Sequence, residues 1–162
     1  ALENYILILY VTPMVALIPF ILSIFGFDFW PKVLVVFLFS FFPILYNTLE
    51  GARSVKPEMI EVARSFRSTE FRIWLDILIP FTLPFALTGI RQSLGRALVG
   101  MIAAEFFLST SGLGKEIMIA SRTPDMAGVL AAILLITVAG VALMRLAQAL
   151  EQRFAAWRGL DR

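Results

Sequence analysis

The sequence contains no cysteine and no histidine in its 162 residues. The first absence removes disulfides, thiol chemistry and cysteine-ligated zinc. The second removes Ser-His-Asp triads, most zinc sites and the commonest general base. No GxxxxGK[ST] stretch occurs, so the chain carries no P-loop for ATP. Charge is scarce as well: Asp, Glu, Lys and Arg make up 16% of the residues, against about 25% in an ordinary soluble domain. The formal net charge of +2 is too small to argue for a nucleic-acid partner. What is abundant is apolar surface, with 59% hydrophobic residues and a mean hydropathy of +0.85. A small soluble domain cannot hide that much apolar area, and a disordered chain does not carry it. The composition predicts an all-α polytopic transmembrane helical bundle.

The runs set the spans. Tyr5 to Phe27 is uncharged over 23 residues, long enough to cross a bilayer. It is not a signal peptide, because Glu3 flanks it instead of Lys or Arg and no small-x-small site follows. Gly26 and Asp28 mark a turn, and a second run covers 29–49, broken only by Lys32 beside Trp30 near its end, where a lysine snorkels to the interface. A third runs over 77–104. The fourth, 126–144, is uncharged over 19 residues, and Thr123-Pro124-Asp125 opens it with a hydroxyl cap, a first-turn proline and an acid. Pro13, Pro19, Pro43 and Pro84 lie inside runs, where membrane helices tolerate kinks.

Between the second and third runs the character changes. Over 50–76, five basic residues (Arg53, Lys56, Arg64, Arg67, Arg72) alternate with five acids (Glu50, Glu58, Glu61, Glu70, Asp76). Four spans place this stretch and the tail on one side, with nine basic residues between them, against Lys32, Lys115 and Arg122 opposite. The positive-inside rule then predicts that the loop and the C-terminus are cytoplasmic. Within the loop Pro57 opens a helix in which Met59, Val62, Ala63 and Phe66 recur on one side. Ser68 is placed to cap a second, with Phe71, Trp74, Leu75 and Leu78 at similar spacing. Two short amphipathic helices outside the bilayer must bury their apolar faces against the spans, the lipid interface or a partner's groove, and periodicity does not choose among these.

The residues themselves go further. Glu61-Val62-Ala63 followed by Ile77-Leu78-Ile79-Pro80 resembles the EAA loop of ABC importer permeases. The family pattern is E-A-A, a glycine four residues after the second alanine, and later I-x-L-P. Glu61, Ala63, Ile77 and Pro80 match, while Val62 replaces an alanine, Ile79 a leucine and Arg67 the glycine. That glycine permits a left-handed turn, so the turn is expected to be built differently here, with Arg67 adding a cation to the partner surface. Ala52-Arg53-Ser54-Val55, Gly89-Ile90-Arg91, Gly95-Arg96-Ala97, Ala104-Glu105-Phe106 and Ser111-Gly112-Leu113-Gly114 extend the resemblance over about residues 10–158, toward the nitrate, sulfonate and taurine branch. The resemblance implies a type I importer permease lacking its N-terminal spans, paired with a second permease subunit, ATP-binding cassette ATPase subunits below and a solute-binding protein above. No cofactor is expected. It implies that residues 57–76 dock the ATPase, through Met59, Ala63 and Phe66 as apolar contacts and Glu61 as a charge partner or cap, with Pro80 closing the motif. The contrasting reading is a non-transporting membrane scaffold that docks a cytoplasmic protein through the same residues.

Arg91, Arg96 and Glu105 interrupt apolar sequence. On one helix Arg91 and Glu105 stand about 21 Å apart along the axis and do not pair, and Arg96 and Glu105 point to opposite sides. Each needs a partner elsewhere. Either arginine is a candidate to line a pathway for a small anion, with a structural ion pair or cap as the plainer alternative. Gly112 and Gly114 form a loop opposite the charged stretch that either touches a binding protein or simply turns the chain.

Overall fold

The computed structural model describes residues 2–108, 112–123 and 125–155. The described residues form helices and no strand: α1 (Leu2–Val11), α2 (Met14–Phe25), α3 (Phe29–Arg53), α4 (Pro57–Ser65), α5 (Glu70–Ile73), a π-helical turn (Trp74–Leu78), α6 (Ile79–Leu108), α7 (Leu113–Arg122) and α8 (Met126–Ala155). Three rods are long and apolar enough to cross a membrane: Phe29–Arg53, Glu70–Phe107 and Met126–Ala149.

The first apolar run is not one straight helix. Tyr5–Val11 and Met14–Phe25 meet at 92°, so the run is a broken span or a re-entrant pair. Pro13 explains the break: it lacks an N–H and stands extended (φ −70°, ψ 90°) ahead of α2. By contrast Pro19, Pro43 and Pro84 are absorbed within α2, α3 and α6. The other boundaries also move. The second helix runs on to Arg53, and the third begins at Glu70 instead of 77, since α5, the π turn and α6 form one rod. The charged stretch therefore contains one free-standing helix, not two.

α3 and α6 make the most extensive packing in the molecule. The core lies toward the start of α3 and the end of α6, where Ile18, Ile21 and Leu22 of α2 meet Val35 and Ala103–Ala104. Small residues permit the approach, as expected for helices in lipid. The opposite end is looser. There Leu45, Leu49, Trp74, Leu78 and Leu83 line an apolar groove of about 470 Å³ between α3 and the rod.

The start of α8 differs in detail from the sequence reading. Asp125, not Thr123, is the cap: its Oδ1 accepts the Gly128 N–H at 2.9 Å. Thr123 turns back to α7, donating its hydroxyl to the Ala120 carbonyl at 3.3 Å. Pro124, Ser111, Arg158 and Arg162, which also entered that reading, lie outside the described residues.

Candidate functional site

The charged stretch is built from short-range rules. Lys56, held extended by the following proline (φ −66°, ψ 132°), precedes Pro57 at the first position of α4. Glu58 in the first turn and Arg64 in the last complement the helix dipole. The far end closes in a Schellman arrangement: the Arg67 N–H donates to the Arg64 carbonyl at 2.8 Å and the Ser68 N–H to the Ala63 carbonyl at 3.0 Å. Arg67 is the left-handed residue of that motif, with φ 58°.

The expected redesign of the turn is thus not what the chain does. The left-handed turn is kept although Arg67 stands where glycine is the default, at a cost of roughly 1 kcal/mol relative to glycine. Ser68 closes α4 through its backbone N–H, and the next cap is Thr69, whose hydroxyl accepts the Arg72 N–H at 3.4 Å. Arg64 and Glu70 pair across the turn at 3.1 Å. The pair is open to water and contributes little by itself.

From Thr69 the chain enters the membrane rod through the π turn, where the Ile79 N–H reaches back to the Trp74 carbonyl. Pro80 follows at once. A proline has no N–H for the carbonyl four residues before it and its ring crowds that carbonyl, so the wider turn accommodates it. The sequence pattern marked Pro80 but gave no signal for the π turn, which couples the loop to α6.

None of the α4 side chains is buried, and α4 packs extensively against no other helix. Met59 is 40% exposed, Val62 56% and Phe66 80%. Ala63 is half-buried and Glu61 exposed. Met59, Val62 and Ala63 face Ile77 across a shallow apolar groove. Phe71 and Trp74, at the base of the rod, are exposed as well. Of the alternatives left by periodicity, burial against the chain's own spans is therefore not realised.

Arg96 and Glu105 find separate partners. Arg96 donates through Nη2 to the Tyr10 hydroxyl at 2.7 Å, with its guanidinium carbon 4.7 Å from that ring's centre. Tyr10 in turn stacks on Tyr46 of α3, with ring centres 4.6 Å apart. This clamp ties α6 and α3 to the end of α1, just before the 92° break. The two tyrosines escaped the sequence reading, because nothing local links positions 10, 46 and 96. Arg91 lies on the exposed side of α6.

Glu105 reaches the start of α7, where Oε2 accepts the Gly114 N–H at 2.6 Å. A carboxylate at a helix N-terminus satisfies an orphan donor and meets the positive end of the dipole. Both glycines are required by it. Gly112 has φ 121°, and a side chain on it would run into the Glu105 carboxylate; a Cβ on Gly114 would stand 2.6 Å from the Glu105 Cβ. Truncating Glu105→Ala leaves the Gly114 N–H without its acceptor, at a cost of about 1–3 kcal/mol. The Gly114 amide is expected to exchange its hydrogen about 10- to 100-fold faster, which hydrogen exchange of the purified protein measures, while Glu105→Gln, still an acceptor, keeps most of the protection.

Comparison with known proteins follows the same lines. Residues 1–156 match the family described as binding-protein-dependent transport system inner membrane component. A Bacillus subtilis protein described as an aliphatic sulfonates transport permease is 36% identical over 146 residues, covering 90% of this chain and 53% of the relative. The formylaminopyrimidine transport permease of Halalkalibacterium halodurans is 31% identical over 146 residues, 90% of this chain and 58% of the relative. The riboflavin transport system permease of Chloroflexus aurantiacus is 33% identical over 145 residues, 90% and 54%. The chain spans a little over half the length of these relatives.

Proposed function

We infer, since the chain belongs to the family of inner membrane components of binding-protein-dependent transport systems, that it is the permease part of an ATP-binding-cassette importer and that α4 is the handle by which an ATPase moves it. The observation that carries this is the exposure of Met59, Val62 and Phe66 on a helix that none of the spans covers. An apolar helix face left open on a polar loop needs a partner's groove. The helix closes rigidly through its Schellman turn and leads by one continuous rod into α6, so a displacement of α4 reaches the membrane without passing a slack linker. No catalytic group is needed here, because hydrolysis belongs to the partner.

The topology supports a cytoplasmic loop. From the loop the chain passes up the rod containing α6, turns at α7 and returns along α8, so loop and C-terminal end share a side whether or not the bent pair crosses the membrane. The basic residues concentrated there favour the cytoplasm. Above the membrane we place the solute-binding protein against the Gly112–Gly114 corner. A second permease subunit, most simply an identical copy, completes the pathway. The solute we propose is small and carries an anionic group, such as a sulfonate, nitrate or the sulfonate end of zwitterionic taurine. Arg91 and Arg96 supply positive charge along α6, and the partner of Arg96 there is a hydroxyl, not a carboxylate.

The test is Glu61→Lys in the full-length protein expressed with its ATPase. Glu61 is exposed and its carboxylate has no partner among the described residues, so reversal leaves the fold alone. Co-purification of the ATPase and uptake of an alkanesulfonate into ATP-loaded vesicles are both expected to fall at least tenfold. Unchanged values for both would reject Glu61 as a docking residue. A scaffold that does not transport would lose the ATPase and show no uptake even in the wild type.

A further inference from the structure

We propose that Arg67 selects the partner: its guanidinium, at the tip of α4, is recognised by a carboxylate in the ATPase groove that receives the helix. This rests on the reading of α4 as the docking helix and adds a specificity residue to it.

Arg67 is the only described non-glycine residue with positive φ. The position after a helix, closing a Schellman turn, is one where glycine serves the fold better than any residue with a Cβ. The arginine side chain returns nothing within this chain. It makes no ion pair or hydrogen bond among the described residues, a state it shares with Lys56 and Arg72, whereas Arg64 is engaged with Glu70 and Arg53 with Glu50. Of the three, Arg67 alone sits at the tip of α4 in a left-handed conformation. The helix dipole does not account for it either, since Arg64 already places a cation in the last turn. Beside it Phe66 is 80% exposed, so the tip presents an aromatic ring and a fixed fork of donors together. That pairing suits a carboxylate bordering an apolar groove. Lipid headgroups are the less fitting occupant. A basic cluster is what draws a segment to an anionic bilayer, and the 50–76 stretch balances five cations with five acids.

The experiment uses the full-length permease in nanodiscs of phosphatidylcholine, alone and with added phosphatidylglycerol, and its purified ATPase, with affinity measured for wild type, Arg67→Gly, Arg67→Gln and Arg67→Lys. The glycine and glutamine variants are expected to bind about tenfold more weakly and to lose salt dependence, with lysine within about threefold of wild type. Arg67→Gly is expected to melt no lower than wild type, which separates lost recognition from lost folding. Affinity of Arg67→Gly within twofold of wild type overturns the proposal while leaving α4 docking intact. A loss that appears only in nanodiscs containing anionic lipid overturns it in favour of a headgroup contact. A wild-type permease that does not bind the ATPase removes the docking reading and this one with it.

Discussion

Gly89→Leu is expected to prevent the assembly of a stable bundle, whereas Gly95→Ala, further along the same helix, is expected to be tolerated. At Gly89 even a Cβ would lie 2.9 Å from the Ile44 Cα, 3.1 Å from the Asn47 Cβ and 3.2 Å from the Pro43 carbonyl. Two of those three atoms are backbone in the middle of α3, so no rotamer change clears them. The helices must separate, and α3 against α6 is the main packing of the molecule. Separation also strains the polar bridge beside the glycine, where Asn47 Nδ2 donates to the Pro43 carbonyl at 2.7 Å and to Gln92 at 3.2 Å. Overpacking of this kind costs about 1–3 kcal/mol for a modest insertion and more for a leucine side chain. At Gly95 an added Cβ meets nothing within 4 Å, and alanine is the better helix former by about 0.8–1.0 kcal/mol. The two substitutions therefore act in opposite directions although both positions read simply as glycine in an apolar run. Thermal unfolding of the detergent-solubilised protein, followed by size-exclusion chromatography, is the measurement. A Gly89→Leu variant that elutes and melts like wild type would show that α3 and α6 do not meet in this register.

That contrast illustrates what the sequence discloses. Long apolar runs announce helices long enough to cross a membrane, because each residue's cost in lipid is a local property, but not the 92° break at Pro13 or the start of the third rod at Glu70. Pro57 and the spacing of Met59, Val62, Ala63 and Phe66 located α4, and the resemblance to the EAA pattern suggested what it meets. The remaining features depend on which helices become neighbours. The Tyr10, Tyr46 and Arg96 clamp joins three elements. The Glu105 cap on Gly114, nine residues on, joins two features that stand apart in the sequence, an acid in an apolar run and a glycine corner. The π turn follows from Pro80 meeting a helix that must continue, and propensity has no term for that. At the loop, Ser68 and Thr69 are both good caps. Only the structure shows that the second is used, its hydroxyl accepting the Arg72 N–H. At Arg67 the sequence argued for a different turn, and the closure of α4 outweighed the residue's own preference.

The second large effect lies at the other end of the molecule and should leave stability untouched. Val62→Asp combined with Phe66→Asp is expected to abolish ATP-driven uptake, a fall of about a hundredfold or more, while the protein inserts, purifies and melts as wild type. Both side chains are exposed, 56% and 80%, and contribute little to the fold. On the proposed docking they would be desolvated in a partner's groove, where a carboxylate is an unpaired buried charge. Truncation of a central apolar anchor commonly costs about 2 kcal/mol or more, and two added charges exceed that, so the hundredfold loss, about 2.8 kcal/mol, is a lower bound. Permease-dependent stimulation of the ATPase should fall in parallel. The two experiments divide the chain physically. Gly89→Leu destroys the rod's support and takes function with it, while the α4 double variant leaves the rod standing with nothing to move it. Uptake that survives the double variant within twofold would mean that the exposed face of α4 is not where force enters. The exposed rings of Phe71 and Trp74 at the base of the rod would then be the surface to substitute next.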